Sequence, residues 1–194
     1  MGKFEIKIPI IRGQGVSCPE IRNEVVSYIA DRIWPGTVFD LGCGVGVFGT
    51  ALRRLDPQIK MIGLDPTILY LLQPMVLTNY VIRIHASAED VCEGLISLED
   101  YDLTICMDVI EHLEKRDARK LLSYLLCHGS RRTIVGTPLF EYKQGAVGGN
   151  EYETHRCWFT EKELNDLEFE TLFIEHHKAL DGQEGPMGAF ECLR

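Results

Sequence analysis

The run Val38-Phe39-Asp40-Leu41-Gly42-Cys43-Gly44-Val45-Gly46 constrains this chain more than any other. Two apolar residues end a short strand, an acid sits at its tip, and three glycines alternate after it. Glycine lets a backbone bend where a side chain would clash and lets a ligand approach closely. A helix that follows such a turn presents free N–H groups at its start. Together these predict a nucleotide-type pocket at the carboxyl end of a parallel strand. The acid separates two ligand classes. A bare helix N-terminus favours an anion, whereas a carboxylate at the strand tip favours a cation or an amine. The dinucleotide fingerprint is G-x-G-x-x-G. Here the spacing is G-x-G-x-G, and Val47 stands where the third dinucleotide glycine would be.

A second acid strengthens the pattern. Asp65 ends the next predicted strand, Lys60–Asp65, twenty-five residues after Asp40. A carboxylate there can accept both hydroxyls of a ribose. With Asp40, Gly42, Cys43, Gly44 and Gly46 ahead of it, the pair resembles motif I and the following strand tip of class I methyltransferases that use S-adenosylmethionine (SAM). The resemblance implies that the glycine turn packs against the methionine part of SAM and that Asp40 holds its ammonium group, directly or through water. It also implies that Asp65, followed by Pro66, holds the ribose. Adenine contacts are expected from Ser87, Ala88 and Glu89 after the third strand. The family often carries an acid where Ser87 stands.

Short apolar runs alternate with helical patterns along the rest of the chain. The strands read are Val38–Leu41, Lys60–Asp65, Val81–His85, Leu103–Met107 and Thr133–Gly136, each apolar enough to be buried on both faces. Helices are expected from near Val47, Thr67, Glu89 and Glu114. Leu121, Leu122, Leu125 and Leu126 recur at helical spacing, and Gly129 is expected to end that helix with a left-handed cap. A helix near Thr160–Leu167 precedes strand Glu170–Lys178, a turn over residues 181–186 and a last strand, Gly188–Leu193. The expected architecture is α/β: a doubly wound, seven-stranded, mostly parallel sheet with a C-terminal antiparallel hairpin and helices on both faces. The last strand inserts beside the fifth in the family this resembles. One domain over residues 1–194 is expected, with an N-terminal flap at 1–19 and a loop at 138–158 serving as an active-site lid.

Composition narrows partner and compartment. The 194 residues carry a formal net charge of −9, and the pI is near 5.2. No basic stripe is present, which weighs against a grip on long nucleic acid through phosphates. Seven cysteines, at 18, 43, 92, 106, 127, 157 and 192, form no C-x-x-C pair and read as reduced thiols. The start lacks the apolar core of a signal peptide, and no apolar run nears the ~20 residues of a membrane span. A cytoplasmic protein, monomer or homodimer, without membrane attachment is expected.

Candidate catalytic residues cluster after the fourth strand, in Asp108-Val109-Ile110-Glu111-His112-Leu113. This resembles the family's V-[IL]-E-H-[LV] segment, where the strand tip faces the cofactor's methyl group. That puts Asp108 beside the cofactor. Glu111 or His112 is the candidate to take a proton from the attacking atom, unless both only hydrogen-bond neighbouring loops. Downstream, Tyr152 and His155 lie in a long loop whose Thr-Pro…Gly-Asn-x-Tyr-x-x-His pattern is similar to family members, and both are expected to face the acceptor. A helical segment would put Asp108, Glu111 and His112 on one face. With His155 they would then suit Mg²⁺ or Mn²⁺. This resembles metal-dependent methyltransferases of the 2′-hydroxyl of small RNAs, with Asp in place of their first Glu. The leading expectation is SAM-dependent transfer of a methyl group to an O or N acceptor on a small molecule, without metal, releasing S-adenosylhomocysteine. The alternatives are the metal-dependent RNA reading and a non-catalytic SAM-binding protein.

Overall fold

The computed structural model describes residues 18–98, 100–179 and 182–194. Most of the expected N-terminal flap lies outside them; of its residues only Cys18 and Pro19 are described. Strands β1 (Thr37–Leu41), β2 (Lys60–Asp65), β3 (Tyr80–His85), β4 (Leu103–Met107), β5 (Arg132–Pro138), β6 (Glu170–Lys178) and β7 (Glu184–Leu193) form one sheet in the order β3-β2-β1-β4-β5-β7-β6. The first five pair in parallel, and β7 lies antiparallel between β5 and β6. The doubly wound sheet and its inserted last strand are therefore as expected.

Alternation along the strands divides the core in two. Val38, Met61, Leu103, Ile105 and Ile134 face helices α1 (Pro19–Arg32), α2 (Val47–Leu55), α3 (Ile68–Leu71) and α4 (Pro74–Asn79). Phe39, Leu41, Ile62, Cys106 and Val135 face α5 (Ala88–Cys92), α6 (Lys115–His128) and α7 (Glu161–Asn165). Both faces of β1 and β4 are thus apolar, as a central parallel strand requires. All seven cysteines are free thiols.

Several local expectations change. The helix expected from Thr67 is two short pieces, because Pro74 supplies no N–H to a continuing helix and instead starts α4. Gly129 does not cap α6 in the left-handed region: its φ is −68° and ψ 177°. It is glycine for lack of room, since a Cβ there would lie 2.2 Å from the Leu125 carbonyl oxygen. Residues Glu184–Pro186, expected in the turn, belong to β7. Pro186 pairs with His176 and its carbonyl accepts the Leu139 N–H, so its missing donor costs nothing on that side.

Asp40 and Tyr80 form the buried joint of the fold. The Tyr80 hydroxyl donates to Asp40 Oδ2 at 2.5 Å and accepts the Gly49 N–H at 3.0 Å, tying β3 to β1 and to the first turn of α2. Asp40 is 2% exposed. Burial lifts its pKa from 3.8 to about 7, against the Tyr80 hydrogen bond, which lowers it. The folded chain then holds this proton more tightly than the unfolded chain. Between those two values the unfolded state deprotonates first, so this group's effect is to lower stability as pH rises.

Two outcomes follow from these features. Gly129→Ala should lower unfolding free energy by about 1–3 kcal/mol in urea titrations, because the methyl has no room. Asp40→Asn keeps an acceptor for Tyr80 but cannot ionise. Wild type should lose at least about 1 kcal/mol relative to this variant between about pH 5 and pH 8; equal pH profiles would contradict a buried, titrating Asp40.

Candidate functional site at the carboxyl ends of β1, β2 and β4

The turn after β1 is fixed from two sides. Gly42, Gly44 and Gly46 all have positive φ, at 76°, 51° and 86°. At Gly42 a Cβ would also lie 2.3 Å from Val109 Cγ2, so the close approach of the β1 and β4 tips requires glycine. Asp65, at the tip of β2, accepts the Gly44 N–H on Oδ2 at 2.9 Å and the Thr67 N–H on Oδ1 at 2.7 Å. Burial raises its pKa to about 6 despite those bonds. Each carboxylate oxygen retains a second lone pair for a ligand hydroxyl. Pro66 follows, with its carbonyl oxygen 2.9 Å from His85 Nε2. Cys43 is buried between these acids, which pushes its thiol far above the usual range.

Other expected cofactor residues have local duties. Ser87 caps α5: its hydroxyl accepts the Asp90 N–H, and the Asp90 carboxylate accepts the Ser87 N–H. The hydroxyl expected at the adenine is therefore engaged in a capping box. Ala88 and Glu89 form the first turn of α5. Asp40 is committed to Tyr80 rather than exposed at the strand tip.

After β4 the chain turns sharply. Asp108 has a φ of 54°, and its N–H donates to the Gly136 carbonyl. Residues Ile110–His112 make one 3-10 turn. The one-face arrangement of Asp108, Glu111 and His112 is therefore not formed, since a left-handed residue precedes the helical turn. The structure instead brings Glu111 and His112 to His155. One carboxylate oxygen of Glu111 and one ring nitrogen of each histidine all lie within 4.8 Å of one another. The two rings meet edge-on, 4.8 Å between centroids.

The protonation states in this trio follow from its surroundings. Glu111 is 1% exposed. Its Oε2 accepts the Thr137 hydroxyl at 3.1 Å, and its Oε1 accepts no hydrogen bond from the described residues. Burial, and then the Asp108 charge, push its pKa well above the carboxylate range. His155 Nδ1 lies 2.8 Å from the Tyr142 carbonyl and His112 Nδ1 3.4 Å from the Thr154 carbonyl. A carbonyl only accepts, so the short contact sets the Nδ1–H tautomer on His155, and the longer one favours it on His112. Burial lowers both imidazoles to about 4, so both are neutral at pH 7.

The 138–158 loop carries His155 here and is tightly held. Arg156 and Cys157 donate their N–H groups to the Glu111 carbonyl, at 2.8 and 3.2 Å, and the Arg156 guanidinium donates to the His112 carbonyl at 2.6 Å. Tyr152, expected to face the acceptor, is 55% exposed. Glu153 and Asn150, which the sequence did not single out, reach across to Tyr70 and Thr67. Only the Gly-Asn in the loop pattern hinted at Asn150, and nothing hinted at Glu153.

No family model matches the chain. A ubiquinone biosynthesis O-methyltransferase from Shewanella halifaxensis is 28% identical over 98 residues, covering 48% of this chain and 39% of its own length. A counterpart from Xanthomonas campestris pv. campestris is 32% identical over 95 residues, covering 45% of this chain. The chain thus spans about two fifths of the curated relatives it matches. Magnesium protoporphyrin IX methyltransferase from Synechocystis PCC 6803, solved with bound SAM, superposes with a TM-score of 0.62 at 19% identity, over 90% of this chain and 78% of that one. The small RNA methyltransferase HEN1 superposes at 0.58 and 16% identity, over 95% of this chain and 27% of that one. The seven-stranded sheet, its strand order and these superpositions give the chain the fold of the class I SAM-dependent methyltransferases.

Proposed function

We propose that this protein is a SAM-dependent methyltransferase acting on an oxygen or nitrogen of a small-molecule acceptor. The observation that carries the reading is the left-handed glycine turn pinned to Asp65 through the Gly44 N–H. It leaves a buried carboxylate, with lone pairs to spare, beside a backbone that a ligand can approach. Bound SAM would supply a methyl group already activated on a sulfonium, with S-adenosylhomocysteine as the leaving product. In this reading Asp65 accepts the ribose hydroxyls, Gly42–Gly46 pack against the aminocarboxypropyl arm, and Ala88 and Glu89 border the adenine. Asp40 acts through the turn it supports. Relatives named as O-methyltransferases and the net charge of −9 support a small acceptor.

The chain's part in the chemistry is mainly positioning. His112 keeps its proton on Nδ1, so Nε2 is the ring atom able to receive one. With a pKa near 4 it is a weak base at neutral pH. Glu111, held neutral, is a hydrogen-bond donor to the acceptor before it is a base. The arrangement suits an acceptor whose proton is lost easily.

One observation favours a second reading, a metal-assisted enzyme of the RNA 2′-O type. The Glu111, His112 and His155 ligand atoms sit within 4.8 Å of one another, Glu111 Oε1 accepts no hydrogen bond from the described residues, and both Nδ1 atoms rest on backbone carbonyls. Such anchoring orients ligating histidines. Atoms held about 2.0–2.2 Å from one ion lie no more than about 4.4 Å apart, so an ion would have to draw the trio together to ligate all three. Two imidazoles and one carboxylate fit Mn²⁺ better than Mg²⁺, which prefers oxygen. An ion there would polarise an acceptor hydroxyl, and Glu111 would bind it as the carboxylate.

Thermal unfolding separates these readings. S-adenosylhomocysteine at about a hundred times its Kd should add about 2.7 kcal/mol of stability, and Asp65→Ala should abolish the shift. No shift in wild type would remove both readings. A further rise with Mn²⁺, lost in His155→Ala, would select the metal reading; no further rise would leave the first.

A further inference from the structure

We propose that Tyr70 and Asn150 are positioning residues that latch the loop limb 150–157 across the mouth of the cofactor pocket. Cofactor then exchanges only when this latch opens, and the same limb delivers His155 to His112. The inference rests on the methyltransferase reading above for the identity of the pocket.

The limb is tied to two separated strand tips, and Glu153 and His155 are also bonded to Gln144 and Tyr142 earlier in the loop. On one side the Tyr70 hydroxyl donates to Glu153 Oε1 at 2.7 Å. Asn150 Nδ2 donates to Thr67 Oγ1 at 3.0 Å and lies 3.4 Å from the Tyr70 hydroxyl. Thr67 and Tyr70 follow directly after the tip of β2, and the Thr67 N–H is one of the two donors that fix Asp65. On the other side the peptides of Arg156 and Cys157 and the Arg156 guanidinium are bonded to the Glu111 and His112 carbonyls, after the tip of β4. In the sheet β1 lies between β2 and β4. A limb tied to the β2 and β4 tips must therefore cross the β1 tip, where the Gly42–Gly46 turn stands. Inside the limb the Asn150 side chain accepts the Tyr152 N–H, and the Arg156 guanidinium donates to the Glu151 and Thr154 carbonyls. These bonds let it move as a unit. Gly148 and Gly149, with φ of 59° and 81°, sit just before it as pivots.

The β4 anchors are backbone carbonyls that side-chain changes leave intact. The β2 anchors rest on two side chains, and Tyr70→Phe removes a hydroxyl while preserving the packing of a 7% exposed ring. Loss of one anchor should therefore free the cofactor side first and leave the fold in place.

The test follows release of S-adenosylhomocysteine by stopped flow. Trp158, at the end of the loop, serves as reporter in a Trp34→Phe background, since the chain has only these two tryptophans. Tyr70→Phe and Asn150→Ala should each speed release about 3- to 10-fold, with melting temperatures of the ligand-free proteins close to wild type. In the absence of ligand, chymotrypsin should cleave after Tyr152, on the freed side of the limb, faster in both variants than in wild type. Unchanged release and unchanged cleavage in both would overturn the latch. Failure of wild type to bind S-adenosylhomocysteine would overturn the methyltransferase reading instead, and the ligand-free cleavage rates would still decide whether the limb is latched.

Discussion

The hydrogen bond from Tyr80 to Asp40 is the interaction on which the geometry of this end of the sheet depends. It joins the first residue of an edge strand to the central strand, and the same hydroxyl takes the Gly49 N–H at the start of α2. The ring occupies space that only glycines leave open. A Cβ at Gly49 or Gly63 would lie 2.4 or 2.7 Å from it, and one at Gly46 would lie 3.1 Å away. Gly46 therefore serves packing as well as backbone conformation. The glycine pattern that reads as a ligand cradle is partly the imprint of one tyrosine from the edge strand β3.

This explains what was legible in the sequence and what was not. β2 and β4 were read at their observed bounds because two-sided burial leaves a short, unbroken apolar run. β3 was read one residue short. Its burial pattern is one buried tyrosine followed by exposed residues, so periodicity gave Tyr80 no reason to belong. Pro74 was visible, but where the chain resumes its helix depends on packing. Asp40 was read as a ligand acid because its true partner lies forty residues away. The pairing of Glu111 and His112 with His155 was readable from family motifs, whereas the exclusion of Asp108 depended on a backbone angle that the spacing cannot carry. Tyr70, Asn150 and Glu153 were missed because their bonds span about eighty residues and leave no local periodicity.

The electrostatics of the site run in one direction. Asp40, Asp65 and Glu111 are all raised, and His112 and His155 are both lowered, with burial the largest cause in each case. Desolvation has moved every one of these groups toward its neutral form. A pocket so arranged stores the capacity for charge without displaying it, and gains most from a ligand that carries charge in. A divalent ion beside Glu111 would favour its ionised carboxylate and draw a proton out of the site.

That storage has a structural cost, and the fold offsets it locally. Each buried acid has donors fixed in advance: Tyr80 for Asp40, two peptide N–H groups for Asp65, and Thr137 for one oxygen of Glu111. Of these oxygens, Glu111 Oε1 is buried and accepts no hydrogen bond from the described residues, and the carboxylate lies close to two histidine rings whose Nδ1 atoms rest on backbone carbonyls. Among the described residues Asp40 and Asp65 find donors, whereas this oxygen is left to something those residues do not supply. In the proposed reading the acceptor's hydroxyl or amine would complete it, and in the second reading a metal ion would. In the proposed reading the acceptor side therefore turns on Glu111, while Asp65, held by two peptide N–H groups, keeps lone pairs for the cofactor.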